Sequence, residues 1–519
     1  FLFLNQGEKE LFVTKVEKDL NLINSIYVDL KDSSANELLY NNLLAMRQIA
    51  LRSEQNFKSF VKTLEGGLLK EYQELKLKRR ALEWSSGVFD SDSLNIILEK
   101  ERKLIKKITS MDNFRSVNPR QITWENIRDR LNMDELAIET FTIKKGIENN
   151  ENEIDYYALV INNKSTSPEL VYLFNENILN EYIDQANNKD GINAVFGKNK
   201  HKINKIIFDS LKQYMANYDK YYFSPTGILN KVPYSAILDS ANMGSTFSIV
   251  SSTNNIRYKK KRDYNMKAAL FGGVNYNLTS KNVTNNIAGL QEQENIVSNI
   301  NRSSSFSKLK YTLDEVVKIK ELFDKSEYKE PFLYTGNSAT ESVMRVIPNQ
   351  DVNVLHIATH GYYYHSSFLV GSSIVNKIGA NMDVYDNPLM RCGLLLAGAN
   401  HDKSYDKNND GILTGQEITY LDFSNIDLLV LSACETGLGE LKGQEGVFGL
   451  QRAFKRAGVK SMIISLWKVP DEQTSQLMVA FYKHYLKGNS ANESLQKAQN
   501  EIKINYPDPV YWAGFQVID

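Results

Sequence analysis

Two stretches of this sequence are apolar without alternation, and each ends in a side chain that can do chemistry. The stretch from Ile426 to Leu431 is apolar apart from Asp427, and Cys434 follows three residues later. A continuous apolar run of this length predicts a strand buried on both faces of a parallel sheet. Glycines 437 and 439 predict a turn just after the strand. Cys434 is therefore expected at the edge where open α/β sheets bind their ligands.

The second stretch, DVNVLHIATHG at 351–361, is again a short apolar run, and it ends in His360 and Gly361. If the two strands are parallel neighbours, His360 and Cys434 leave the sheet at one edge. An imidazole beside a thiol activates that thiol as a nucleophile, because the nearby charge favours the thiolate. The amides of Gly361 and Cys434 would supply the two donors of an oxyanion hole. The alternatives, a packed core histidine and a buried structural cysteine, remain open at this point.

Composition excludes several classes of protein. The 519 residues carry 62 basic and 62 acidic side chains, so no overall charge favours nucleic acid or an anionic membrane. The basic run 257–262 is interpreted as an exposed loop, with a nucleic-acid patch as the alternative. No apolar run is long enough to span a membrane. Two cysteines, Cys392 and Cys434, are too few for a disulfide framework, which favours a reducing cytoplasm. Cys392 is expected to be a packed small residue.

The chain divides into three regions by pattern. Residues 1–117 show apolar positions at helical spacing and predict a helical connector or degenerate repeats. Residues 118–262 mix strands and helices without a cysteine, which predicts a non-catalytic α/β subdomain. Residues 263–519 alternate strands and helices, which favours a mostly parallel sheet covered on both faces. Because the first residue is not Met, we expect a longer protein with an upstream part.

Several helix boundaries follow from local signals. The segment Ser338 to Val346 is predicted to be a helix opened by a Ser-Ala-Thr-Glu capping box. Helices are also predicted for Glu445 to Arg456 and for Gln473 to Leu486. Asp471 is the predicted N-cap of the second of these, and attraction of a basic substrate side chain is the alternative role.

The blocks HIATHG, DGILTGQEI, VLSACETGLGE, GLQRAFKRAGVKS and SLWKVPDEQT resemble the CHAT domain peptidases. These are a caspase-like branch of the cysteine peptidases that usually follows tetratricopeptide repeats. The resemblance runs from about Gln121 to the C-terminus. It implies an α/β fold with a caspase-like, mostly parallel sheet flanked by helices, preceded by a non-catalytic α/β subdomain and an N-terminal all-α region.

The resemblance also implies an activity. It assigns the catalytic dyad to His360 and Cys434 and the oxyanion hole to the amides of Gly361 and Cys434, with no obligatory third residue and no cofactor. In caspase-like enzymes the strand after the post-cysteine helix lines the substrate groove. Here that segment places Ser465, Trp467 and Asp471 beside the substrate, together with Glu435. Glu435 and Asp471 remain ambiguous, because either carboxylate also has a structural interpretation.

One loop satisfies the twelve-residue template for calcium. Oxygen ligands fall at the required positions and glycine stands at the sixth; the candidate ligands are Asp406, Asn408, Asp410, Ile412, Thr414 and Glu417. A second interpretation also remains open. In it Asp410 and Gly411 make a turn, and Thr414 caps a short helix that carries Glu417.

The sequence therefore predicts a cysteine endopeptidase that cleaves a specific protein substrate through a thioester acyl-enzyme. Its expected partners are that substrate and an upstream repeat domain or activator protein, with neither nucleic acid nor membrane. By analogy, such bacterial enzymes are tied to defence or regulated cell death. The rival hypothesis is a catalytically silent scaffold that presents a binding surface.

Overall fold

The fold is taken from a computed structural model, which describes most of the chain. The described residues are 6–30, 32–47, 49–84, 91–117, 122–145, 153–238, 246–256, 266–277, 306–363, 387–400, 409–433, 440–442 and 446–519.

The N-terminal region is helical, as the apolar spacing predicts. The described helices are α1 (Gln6–Leu30), α2 (Ser33–Met46), α3 (Ile49–Val61), α4 (Gly67–Trp84), α5 (Ser91–Thr109), α6 (Asp112–Val117) and α7 (Trp124–Arg128). The helices from α3 to α6 share a small core in which the rings of Phe60 and Phe114 meet edge to face, with centroids 5.1 Å apart. Such aromatic pairs stabilise a core beyond the area they bury.

The middle region contains five strands and several short helices. The strands are β1 (Glu135–Lys145), β2 (Glu153–Asn162), β3 (Glu169–Asn175), β4 (Lys220–Ser224) and β5 (Thr246–Ile249). The helices are α8 (Glu176–Ile183), α9 (Lys189–Asn193), α10 (Lys200–Phe208), α11 (Lys212–Met215) and α12 (Tyr234–Ile237). This region has the predicted α/β character.

Strands and helices alternate through the rest of the described chain. The strands are β6 (Ala268–Val274), β7 (Phe332–Gly336), β8 (Val354–Ala358), β9 (Gly361–Tyr363), β10 (Cys392–Leu395), β11 (Ile412–Thr414), β12 (Leu428–Ser432), β13 (Glu440–Lys442), β14 (Gly446–Phe448), β15 (Ser461–Ser465) and β16 (Phe515–Ile518). The helices are α13 (Thr312–Asp324), α14 (Glu341–Val346), α15 (Gly415–Thr419), α16 (Leu450–Ala457), α17 (Asp471–Tyr485) and α18 (Ala491–Asn505).

Eleven of the described strands form one sheet, in the order β3-β2-β1-β4-β5-β16-β15-β12-β8-β6-β7. Neighbours are parallel except at β1/β2, β2/β3 and β15/β16. Helices pack on both faces, so the predicted α/β class with a mostly parallel sheet is confirmed. The last strand, β16, lies between β15 and β5 and joins the two halves of the sheet. The division at residues 262 and 263 stays a proposal, because the two regions share this sheet.

The central strands are buried on both faces, which is why they lack alternation. In β8, Val354 and Ala358 face one core, while Leu355 and Ile357 face the other. The same holds in β12, where Leu428 and Val430 alternate with two leucines. Parallel strands covered by helices on each side require this pattern.

Helix α3 joins the N-terminal region to the helix that follows the Cys434 segment. The ammonium group of Lys58 donates to the carbonyl of Arg456, at 2.7 Å, and to that of Thr419, at 3.1 Å. Glu54 pairs with the Arg456 guanidinium at 2.7 Å. Arg456 lies in the last turn of α16, whose final carbonyls have no partner within the helix. The Lys58 ammonium supplies a donor there, and a cation is favourable at this end of the helix.

Three predicted helix boundaries are wrong. The helix expected from Ser338 begins at Glu341, and Thr340 is its N-cap, with the side chain accepting from Val343 N. The helix expected from Glu445 begins at Leu450 after the short strand β14. The third, α17, begins at Asp471 itself, so Pro470 holds the N-cap position. Asp471 is therefore a first-turn residue, where its charge still suits the helix dipole.

Candidate active site

Strands β8 and β12 are parallel neighbours, as the two apolar stretches predict. Their register pairs Val430 with His356 and Ser432 with Ala358. His360 stands two residues after Ala358, and Cys434 stands two residues after Ser432. Cys434 and Glu435 lie outside the described residues. The described parts of the two strands therefore end side by side at the carboxyl edge of the sheet.

The His360 side chain is half-buried at this edge. Its Nε2 lies 2.9 Å from the carbonyl oxygen of Ser307, in the segment before α13. Two aromatic rings lie near the imidazole, with centroids at 5.3 Å for Tyr276 and 6.2 Å for Phe306. A carbonyl oxygen can only accept a hydrogen bond, so this contact assigns the ring proton to Nε2. The lone pair of the neutral imidazole is then on Nδ1.

Tyr276 is a member of the site that the sequence reasoning missed. It follows β6, the other neighbour of β8, and is buried at the same edge. Its hydroxyl lies 3.4 Å from the backbone N–H of His360 and 2.9 Å from Thr359 Oγ1. Thr359 donates in turn to the carbonyl of Leu395. Burial raises the pKa of the Tyr276 hydroxyl, so it stays a neutral donor in this chain of hydrogen bonds.

Gly361 begins β9, where it lies opposite Leu394 of β10. The preceding carbonyl, that of His360, accepts from Leu395 N at 2.9 Å. Pairing with β10 therefore fixes the position of the Gly361 amide, which is the predicted oxyanion donor. The role of the Gly361 amide in catalysis stays a prediction.

The predicted substrate-contacting residues after β12 have packing roles in the structure. Ser465 is fully buried, and its hydroxyl donates to the carbonyl of Ala433 at 2.7 Å. Trp467 is 9% exposed and stacks on Phe196, with centroids 5.9 Å apart. Ser465 thus fixes the backbone of Ala433, immediately before Cys434. Trp467 packs in the same hydrophobic core as Phe196. Substrate contact by either side chain stays a prediction.

Asp471 contributes a hydrogen bond to the segment that carries Ser307. Its Oδ2 accepts from the backbone N–H of Tyr311 at 2.9 Å. Asp471 also lies close enough to Tyr276 for its charge to raise the pKa of that hydroxyl further. The structure therefore brings Asp471 to the neighbourhood of His360.

A buried histidine–glutamate pair connects β8 to helix α13. His356 is fully buried, and its Nε2 lies 2.9 Å from Glu315 Oε1 of α13. The ring of Tyr482 in α17 packs against His356, with centroids 5.6 Å apart. These contacts hold β8 against the two helices that flank the Ser307 segment. No local pattern in the sequence indicates this pairing, because His356 and Glu315 are far apart in the chain.

The candidate calcium loop is described from Asn409 onward, and Asp406 and Asn408 lie outside the described residues. Thr414 and Glu417 form a capping box at the start of α15, as the second interpretation of this loop predicts. Asp410 accepts from Ile412 N at 2.9 Å. Within the described ranges, no three acidic, histidine or cysteine groups lie together as metal ligands. Calcium binding stays a prediction.

Glu417 belongs to a buried carboxylate cluster. The guanidinium of Arg345 lies 2.6 Å from Glu341 Oε2 and 3.6 Å from Glu417 Oε1. Glu341 also accepts from Gly411 N at 2.7 Å. Burial raises the pKa of Glu341 well above its ordinary range and that of Glu417 to about 7. Two carboxylates that share one arginine in the core hold protons more tightly than they do in water.

Cys392 is packed, as predicted. Its side chain is 1% exposed, and its sulfur lies 3.8 Å from the carbonyl of Leu389. Burial raises the pKa of this thiol to about 12. A thiol in this environment is a poor nucleophile.

The described helices include none with the length and apolar character needed to cross a membrane.

The molecule is an α/β protein in which neighbouring parallel strands carry Tyr276 and His360 to one edge of the sheet. Cys434 comes two residues after the end of β12, the other neighbour of the His360 strand. The CHAT domain model matches residues 199–519, more than half of the chain. The chain therefore belongs to the CHAT domain family, which confirms the resemblance seen in the sequence.

Two curated relatives share one segment with this chain. Tetratricopeptide repeat protein 28 of Mus musculus is 32% identical over 109 residues, which are 21% of this chain and 4% of that protein. The Homo sapiens protein of the same name is 30% identical over 109 residues, with the same coverage of 21% and 4%. The matched part thus spans only 4% of the length of these relatives.

Two solved structures are distantly similar. Gingipain R, an Arg-specific cysteine proteinase, shares 9% identity at a TM-score of 0.36, over 66% of this chain and 74% of that one. A Saccharomyces cerevisiae separase–securin complex shares 11% identity at a TM-score of 0.40, over 92% of this chain and 39% of that one. Both TM-scores are too low to support an argument about this chain.

Proposed function

We propose that the chain is a cysteine endopeptidase in which His360 and Cys434 form the catalytic dyad. The observation that carries the proposal is the register of β8 and β12, in which Ala358 and Ser432 are partners. His360 lies two residues after Ala358, and Cys434 lies two residues after Ser432. Two residues of chain reach about 7 Å at most. The imidazole and the thiol thus start from neighbouring points at one edge of the sheet.

The hydrogen bond to Ser307 supports the role of His360 as the base. With the proton held on Nε2, the lone pair on Nδ1 is available to a thiol. Nδ1 takes the proton of the Cys434 thiol, and the thiolate attacks the carbonyl carbon of the substrate. A C–S bond forms, and the amides of Gly361 and Cys434 stabilise the negative oxygen. No metal or cofactor takes part in these steps.

The imidazolium then donates its Nδ1 proton to the leaving amine as the C–N bond breaks. The product is a thioester between Cys434 and the acyl half of the substrate. His360 next removes a proton from water, which attacks the thioester carbonyl, and returns that proton to the departing sulfur. The cycle restores the thiol and releases a carboxylate product.

The substrate is proposed to be an extended segment of a specific protein. Glu435 is the proposed carboxylate for selecting a basic side chain, because Oδ2 of Asp471, the other candidate, already accepts a hydrogen bond from Tyr311 N. Because the curated relatives are named tetratricopeptide repeat proteins, we propose that an upstream repeat array or an activator protein regulates the enzyme. Cys392 is a buried free thiol, which fits a reducing compartment such as the cytoplasm.

Cleavage-site mass spectrometry tests this function. A host lysate is treated with the parent chain, with Cys434→Ala and with Cys392→Ala. New peptide termini should arise with the parent and with Cys392→Ala, and they should be lost with Cys434→Ala. His360→Ala should lower kcat/KM on a cleaved peptide by about 10²-fold or more, because the thiol loses its base.

The matched variant Cys392→Ala removes the other thiol and so controls for the loss of a sulfur atom alone. Termini that persist with Cys434→Ala would contradict the assignment of the nucleophile. If the parent yields no new termini with or without candidate activators, the silent scaffold becomes the better hypothesis.

A further inference from the structure

The segment Phe306–Tyr311, here called the strap, crosses the active-site edge before α13 begins. Its Ser307 carbonyl lies 2.9 Å from His360 Nε2. His360 and Ser307 are 53 residues apart in sequence, and Ser307 is itself exposed. The position of this carbonyl therefore depends on what holds the strap at its two ends.

One amide side chain holds the first end. The backbone N–H of Phe306 donates to Asn400 Oδ1 at 2.7 Å, and the carbonyl of Phe306 accepts from Asn400 Nδ2 at 2.9 Å. Asn400 thus pairs with both backbone groups of one residue, as a neighbouring strand would. Only one orientation of the amide satisfies both bonds.

Asn400 is in turn fixed to the site. Its backbone N–H donates to the carbonyl of Tyr276 at 2.9 Å, and its Nδ2 donates to Asn277 Oδ1 at 2.8 Å. Tyr276 also contacts the backbone N–H of His360 through its hydroxyl. The residues that hold the strap and the residues that hold His360 therefore form one hydrogen-bonded group.

A carboxylate holds the other end. Asp471 Oδ2 accepts from Tyr311 N at 2.9 Å, and Thr312, the next residue, accepts from Gly273 N at 3.1 Å through its hydroxyl. The strap is thus anchored on both sides of Ser307.

We propose that Asn400 and Asp471 are positioning residues that hold the Ser307 carbonyl against His360 and so keep the imidazole oriented for proton transfer. The inference rests on the proposed function for its kinetic consequence, but the geometry of the strap is independent of activity. Neither residue touches the reacting atoms in this assignment. In this role Asp471 acts through an acceptor oxygen rather than through its negative charge.

Four variants test the proposal. Asn400→Ala removes both bonds to Phe306, and Asp471→Ala removes the acceptor for Tyr311. Each should lower kcat about ten- to a hundred-fold with KM changed less than about two-fold, because orientation is lost while binding is kept. Asp471→Asn keeps an acceptor oxygen and should retain kcat within about three-fold of the parent.

Asn425→Ala is the matched control. The Asn425 side chain is exposed and donates to the carbonyl of Pro348 at 3.2 Å, away from the strap. Its removal should leave kcat unchanged. Circular dichroism of all four variants establishes that each is folded before the kinetics are compared.

A second readout does not require cleavage. In the parent, proton NMR of the imidazole N–H groups should contain a ring N–H signal that His360→Gln removes. Exchange of this proton with water should be faster in Asn400→Ala and in Asp471→Ala, because the acceptor Ser307 carbonyl is no longer held. The signal should persist in Asp471→Asn and in Asn425→Ala.

Unchanged kcat and an unchanged His360 signal in Asn400→Ala would overturn the proposal. So would an Asp471→Asn variant as impaired as Asp471→Ala, since the charge and not the acceptor would then matter. A parent chain without peptidase activity whose ring signal still depends on Asn400 would refute the proposed function while supporting the strap.

Discussion

Alkylation of the two thiols tests how the core protects Cys392. Burial raises the pKa of this thiol from an ordinary 9.0 to about 12. At pH 8 its thiolate fraction is then about 10⁻⁴, against about 10⁻¹ for an ordinary thiol, so iodoacetamide should react about 10³-fold more slowly. The packing adds a steric barrier, since a Cβ placed on Gly415 would lie 2.7 Å from the Cys392 sulfur.

The assay is peptide mass spectrometry after timed alkylation at pH 8, in native buffer and in denaturing urea. The native chain should gain label at Cys434 only, and the unfolded chain at both positions. Cys434→Ala should stay unlabelled until it unfolds, and Cys392→Ala should label at the parent's native rate. Native labelling of Cys392 within about ten-fold of its rate in urea would refute the reasoning.

Three further predictions concern stability. Lys58→Met should lower the free energy of unfolding by about 1–3 kcal/mol in urea titrations, because two carbonyls lose their donor, and Lys58→Arg should recover part of the loss. Gly458→Ala should cost at least about 1 kcal/mol by the same assay, since Gly458 ends α16 at φ 107° and a Cβ would lie 3.0 Å from the backbone of Ser424. Glu417 keeps its proton up to a pKa of about 7 when folded, against 4.5 as its ordinary value, so stability should fall as pH rises through that window. Glu417→Gln should flatten this part of the pH profile, and a profile as steep as the parent's would contradict the assignment.

The main strands were predictable because their sequence signal is local. A strand buried on both faces needs consecutive apolar residues, and β8 and β12 have them. The position of His360 at the edge of the sheet followed directly. The boundary of α16 was missed because Gly446–Phe448 forms a strand within a segment whose composition also suits a helix.

The contacts around His360 were not predictable from the sequence. Tyr276 lies 84 residues from His360, and Asn400 lies 94 residues from Phe306. A hydrogen bond between such distant residues leaves no periodicity or spacing in the sequence. Tyr276 did carry a weak signal, since it follows an apolar strand in the same way as His360 does.

The capping box at Thr414 shows a different limit. The same residues satisfy a calcium template and a helix-start signal, and local spacing cannot separate the two. In the structure Glu417 accepts from Thr414 N and Glu417 N donates to the Thr414 hydroxyl, as the helix-start signal predicts.

The place of β16 in the sheet has a consequence for biosynthesis. This strand joins β15 to β5, so the two half-sheets become continuous only after residues 515–518 have left the ribosome. Until then β5 and β15 each present an unpaired edge to other chains. A nascent chain of this protein therefore depends on being shielded during translation more than one whose sheet grows strand by strand.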